Sequence, residues 1–172
     1  MPRHRTIPDE TVFAATRGLL AEGGDKAASF AAVARETGLA ASSLAQRYGS
    51  QDGMVRAALV DGWQVLMRRT EAAEAEAPLS LKGVPALLKT LGRDCGQEIM
   101  LLVTHQSDPE LRATATAWRL QVEAALALRI GAEADGRAES AAMIFAAWQG
   151  RMLWPGGARP DFRLKSVTRR LG

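Results

Sequence analysis

The apolar positions of this chain recur three and four residues apart, the spacing of helices with one buried face. The first such stretch predicts a helix from about Asp9 to Glu22, with Val12, Thr16, Leu19 and Leu20 on one side, Phe13 beside them, and Gly23-Gly24 as its stop. Pro8 suits its start, and Asp9 and Glu10 lie where the helix dipole favours negative charge. A short second helix has Ser29 as N-cap, Phe30, Val33 and Ala34 on one face, and Thr37-Gly38 as its end. A third is predicted over Ala41–Tyr48, where Leu44 and Tyr48, four apart, face inward together. Ser50 then caps a fourth over Gln51–Glu76, whose buried side is marked by Met54, Val55, Leu59, Trp63 and Leu66.

The remainder reads the same way. Leu81–Asp94 and Gln97–His105 are expected as two shorter helices divided near Gly96. Asp108 is the expected N-cap of a long helix reaching Ile130, broken by Gly131 and the polar stretch to Gly136. Another spans about Arg137–Trp154 before Pro155-Gly156-Gly157, and a weak last helix covers Phe162–Leu171. No alternating run of the strand kind and no internal repeat is visible, so the expected fold class is all-α.

Composition agrees: 47% apolar and 24% charged residues are ordinary for a globular protein, and abundant alanine favours helix. No apolar run approaches the ~20 residues needed to span a bilayer. No apolar segment of signal type follows the basic start Met1-Pro2-Arg3-His4-Arg5. The expectation is therefore a cytoplasmic protein without a membrane partner. Cys95 is the one cysteine, which excludes an intrachain disulfide and a cysteine-based metal framework. It reads as a small buried hydrophobe, with redox sensing as the alternative. Charge is uneven: residues 151–172 carry a net +5, while residues 57–150 carry a net −3. A basic tail of that kind can attract phosphates or simply be solvated.

The informative segment is Ser29 to Met54, SFAAVARETGLAASSLAQRYGSQDGM. Two short helices joined by a tight Gly-containing turn make a helix-turn-helix, whose second helix fits the DNA major groove. In Ser29, Val33-Ala34, Gly38-Leu39, Leu44, Tyr48, Ser50 and Met54 the segment resembles the N-terminal motif of the tetracycline-repressor (TetR) family. Further on, a long helix, a Gly break and an Ala-rich helix ending in Gln149-Gly150 are similar to that family in order and size. Four positions depart from its pattern. Ala45 stands where a phosphate-touching Tyr is usual, Gln51 replaces a Lys, Ala40 replaces a capping Ser, and Arg47 replaces an aromatic or His.

The third helix then offers Ala41, Ser42, Ser43, Gln46 and Arg47 as an exposed face. Small residues permit close approach, Ser and Gln can bond phosphates or base edges, and Arg can grip guanine bidentately. The resemblance adds Tyr48 and Gln51 as candidate DNA contacts, and Ser29 as a cap that can also contact DNA. Lys26, Arg35, Arg3 and Arg5 are candidate phosphate contacts or solvated charges. In the second half, Met100, His105, Trp118, Phe145, Trp148 and Met152 are the candidate ligand-binding set, since Met and Trp suit adaptable apolar cavities. Ordinary core packing is the competing reading for each of these.

There are two His, no metal-ligand cluster, no phosphate-cradling Gly loop and no nucleophile elbow, so no enzyme, metal or cofactor is expected. The resemblance implies a helix-turn-helix DNA-binding domain over residues 1–50 and a helical effector-binding and dimerisation domain over 51–172. It also implies a transcriptional regulator, a repressor released by a small, largely apolar effector. The expected partners are a double-stranded DNA operator and a second copy of the chain, paired through the helices at about 108–130 and 137–154. The alternative is a helical interaction or ligand-binding module that has lost strong operator affinity.

Overall fold

A computed structural model describes residues 7–106, 108–131 and 136–154. The described residues form seven helices and no strand: α1 (Asp9–Gly23), α2 (Phe30–Thr37), α3 (Ala41–Tyr48), α4 (Gln51–Glu76), α5 (Gly83–Thr104), α6 (Pro109–Ile130) and α7 (Arg137–Leu153). The weak helix expected at 162–171 lies outside the described residues.

The N-terminal helices start and stop where the local chemistry dictates. The Ser29 hydroxyl accepts from the Ala32 N–H, and the Ser50 hydroxyl accepts from the Gly53 N–H. Gly38 closes α2 at φ 75°, a left-handed conformation that a side chain disfavours, and this turn sends α3 off across α2. α3 has no side-chain cap at Ala40. A small core of Val12, Val33, Leu44 and Met54 holds these elements, with Leu19, Phe30 and Tyr48 against it. Met54 belongs to α4, so the long helix is part of the head as well as of the larger bundle.

The second, larger core runs from Leu59, Trp63 and Leu66 of α4 through α5 and α6 to Ile144, Phe145 and Trp148 of α7. Trp63, Trp118, Phe145 and Trp148 form an aromatic ladder with successive centroids 5.8, 5.8 and 5.7 Å apart. Cys95 is buried in this core, and burial pushes its thiol pKa up, which favours the unreactive thiol.

Two arginines tie the parts together. Arg17 of α1 bonds the Ala58 carbonyl and Asp61 of α4 and pairs with Glu98 of α5 at 3.0 Å. Gly62 makes room for it, since a Cβ there would lie 2.9 Å from the Arg17 stem and from Leu102. Arg129 of α6 is 3% exposed and donates to the carbonyls of Glu74 and Ala77. It thus closes the C-terminal end of α4 with a positive charge, where the helix dipole favours one.

One expectation is corrected. Residues 83–104 form a single helix, not two segments divided near Gly96. Leu91, Cys95, Ile99 and Leu102 carry one buried stripe straight across that glycine. The energy of that face outweighs the ~1 kcal/mol a mid-helix glycine costs.

Candidate DNA interface and ligand cavity

On α3 only Leu44 is buried, and Ala41, Ser42, Ser43, Gln46 and Arg47 are exposed, as the helical spacing requires. Ser42 and Gln46, one turn apart and opposite Leu44 on the helix, form the centre of the outward face. Their short polar side chains stand free of any charge pair. Lys26 and Arg35 are exposed on the same head.

The other candidates are engaged within the protein. Arg47 donates to the Ile7 carbonyl at 3.2 Å and to the Asp9 carboxylate at 2.9 Å. The Tyr48 hydroxyl donates to that same carboxylate at 2.6 Å, and its ring lies 5.8 Å from Phe13. Burial first, then the bond to Asp9, pushes the Tyr48 phenol up to about 12. Gln51 donates to the Asp25 carbonyl at 3.2 Å and so holds the α1–α2 loop. Ser29 serves as the cap of α2. Asp9 thus anchors both polar groups at the end of α3 to the start of α1. Sequence reasoning assigned Asp9 only to the helix dipole, because a clip across 38 residues has no local signal.

The proposed ligand set is not one site. Trp118 and Phe145 line a half-open cavity of about 250 Å³ between α4, α5, α6 and α7. Trp148 and Met152 line a separate groove with Leu88 and Gly92. Met100 and His105 line neither. His105 instead donates from Nδ1 to the Leu101 carbonyl, 2.7 Å away, and its Nε2 lies 3.4 Å from the Asp25 carboxylate of the head. Gln106 lines the cavity as well, and sequence reading missed Trp63, Arg119 and Gln149 as cavity residues. Among the described residues, no group of three or more His, Cys, Asp and Glu is placed to hold a metal ion. No described helix is long and apolar enough to cross a membrane.

The outer faces of α6 and α7 are apolar and uncovered. Leu120, Leu128, Met143 and Leu153 are 59, 67, 52 and 47% exposed. Ala124, Ala146 and Gly150 lie among them along the same faces, and only the opposite faces, with Trp118, Val122, Ile144 and Phe145, meet the chain's own core.

Known structures share this architecture over nearly the whole chain. A transcriptional regulator from Rhodococcus sp. Rha1 superposes with a TM-score of 0.73 at 19% identity, covering 96% of this chain and 94% of that one. The multidrug binding protein EbrR, solved with imidazole, gives 0.66 at 24% identity, covering 95% and 93%. The TetR-family regulator PfmR from Thermus thermophilus gives 0.61 at 20% identity, covering 92% and 93%. The sequence matches no family model, and no curated protein is similar to it. The chain therefore has the fold of the TetR-type transcriptional regulators.

Proposed function

We propose that the protein is a dimeric DNA-binding transcriptional regulator, a repressor whose operator affinity is released by a small molecule held in the helical bundle. The observation that carries this reading is the α3 face: Ala41, Ser42, Ser43 and Gln46 stand exposed on a helix fixed by the Gly38 turn and the buried Leu44. Such a face enters a major groove without steric obstruction and bonds bases or phosphates through short side chains. Dimerisation follows from the uncovered stripe on α6 and α7, since contiguous exposed apolar surface marks an interaction site. Two copies pairing those helices across a two-fold axis make a four-helix bundle and present two heads symmetrically. A ligand in the bundle acts through α4, which shares residues with both cores, provided that it prefers one spacing of the heads over the other.

A second reading is favoured by one observation. Arg47, Tyr48 and Gln51 are bonded within the head, and Ala45 offers no polar atom, which leaves few side chains for phosphates. On that reading the protein is a ligand-binding or interaction module with weak DNA affinity.

Selection of bound duplexes from random DNA separates the two. A regulator enriches an inverted repeat with half-sites about 34–36 Å, or one helical turn, apart, and the Ala146→Glu variant, monomeric by light scattering, loses the enrichment. No enrichment over the starting pool overturns the regulator reading.

A further inference from the structure

The outward face of α3 carries hydrogen-bonding capacity that the protein leaves unspent. Leu44 is the buried residue of that helix. At about 100° per residue, the side opposite Leu44 is centred between Ser42 and Gln46, with Ser43 and Ala45 on its flanks. None of these four residues is charged. Among the described residues, the side chains of Ser42, Ser43 and Gln46 make no hydrogen bond. The cation of the helix is withheld from this face. Arg47 lies about 120° around the helix from its centre, and its Nη1 donates to the Ile7 carbonyl and to the Asp9 carboxylate.

A helix seated in a major groove aims the centre of its outward face at base edges, while phosphates line the groove rims. A serine hydroxyl both donates and accepts, so it suits any base and discriminates little. Gln46 differs, because its amide holds a donor and an acceptor side by side. Adenine presents the matching pair in the major groove, the N7 acceptor and the N6 amino donor. Guanine presents two acceptors, N7 and O6, which call for a two-donor cation. Set against guanine, the Gln46 carbonyl would face an acceptor with no proton between them. The thymine opposite adenine adds a methyl group, which the half-buried methyl of Ala45 beside Gln46 suits as an apolar contact. The side chain of α3 with the fork that guanine needs is Arg47, and its charge is already paired with Asp9 at 2.9 Å.

We infer that α3 reads an adenine–thymine base pair through Gln46, and that Asp9, by holding the Arg47 guanidinium, keeps the same helix from reading guanine. Gln46 is then the specificity-determining residue of the head, and Asp9 is a positioning residue that acts through Arg47. The inference rests on the regulator reading, which supplies the DNA. It adds which base the head selects and which carboxylate sets that choice.

The test is selection from random duplexes with the full-length wild type and with Gln46→Ala, Arg47→Met and Asp9→Asn. Wild type should enrich adenine at one symmetry-related position in each half-site, and Gln46→Ala should lose that preference alone. Gln46 is exposed and lies outside the head's core, so its truncation leaves the fold intact. The selected duplex is then made with 7-deazaadenine at that position, which lacks the N7 acceptor but still pairs with thymine. This duplex should bind wild type about tenfold more weakly and bind Gln46→Ala unchanged. Arg47→Met should alter no base preference. Asp9→Asn should keep the adenine and gain a guanine at a neighbouring position; if that variant does not fold, Arg47→Met decides the role of Asp9. Guanine at the Gln46 position, equal losses in both proteins with 7-deazaadenine, a guanine preference lost in Arg47→Met, or a folded Asp9→Asn that selects as wild type does overturns this inference and leaves the regulator reading standing. A wild type that enriches no duplex overturns the regulator reading and this inference with it.

Discussion

The head and the bundle are held together in different ways. The head has a four-residue buried core, Val12, Val33, Leu44 and Met54, and depends on polar fastenings: the Ser29 and Ser50 caps, the clip of Arg47 and Tyr48 to Asp9, and Gln51 on the α1–α2 loop. The bundle relies on a continuous apolar core with an aromatic ladder through its centre. A small core with surface fastenings makes a unit that can be loosened separately, whereas a large core transmits strain as one body. Arg17 joins the two, because its guanidinium reaches Asp61 and Glu98 from α1.

That contrast predicts unequal outcomes from equal truncations. Leu44→Ala and Leu88→Ala each delete a fully buried leucine, at a cost of about 2–5 kcal/mol. In the head this loss should unfold α1–α3 while the bundle keeps its cooperative melt. In the bundle the whole protein should melt earlier. Hydrogen exchange resolved by segment reads the difference, and loss of protection throughout the Leu44→Ala protein would mean that head and bundle are one cooperative unit.

Arg17→Met sharpens the comparison at the junction. It removes both ion pairs from a side chain only 12% exposed, taking from Asp61 its ion pair and leaving Glu98 with the longer pair to Arg69 at 3.4 Å. A cost of about 1–3 kcal/mol is expected, the range for bonds to charged groups. Urea unfolding followed by head and bundle probes should split from one transition into two. Coincident transitions at an unchanged midpoint would show that Arg17 does not couple the units.

The smallest effect tests the Asp9 clip. Tyr48 is the sole tyrosine, so phenolate absorbance reports it alone. Its folded pKa of about 12 lies above the unfolded value. Its contribution to stability is therefore complete below about pH 10, the ordinary phenol value, and is lost as pH rises from there through the folded pKa. Asp9→Asn should lower the folded midpoint only part of the way, because burial is the larger cause. It also releases Arg47, so affinity for DNA should rise several-fold. A wild-type Tyr48 that titrates at the ordinary phenol value contradicts the clip.

The sequence made the head legible because its signals are local. Ser29, Gly38, Ser50 and the four-residue step from Leu44 to Tyr48 set boundaries that the structure reproduces for α2, α3 and α4. The glycine at 96 misled because a helix stop and a tolerated interior glycine look alike until the flanking stripe is packed. The cavity was legible only in residue type. Trp118 and Phe145 line it, but the same reasoning counted Met100 and His105, which lie elsewhere, and passed over Trp63 as plain core. Whether an indole N–H has a partner depends on residues far along the chain, such as Thr70 for Trp118. The clip of Arg47 to Asp9 was hidden for the same reason.

The central claim is that two symmetric heads of this fold bind adjacent major grooves through α3. Hydroxyl-radical footprinting of a selected duplex with the full-length protein tests it most directly. The account predicts two protected patches on one face of the duplex, centred about one helical turn apart. Both patches should weaken with Gln46→Ala, while the protein stays dimeric. A single asymmetric patch, or protection that ignores Gln46→Ala, would contradict the account.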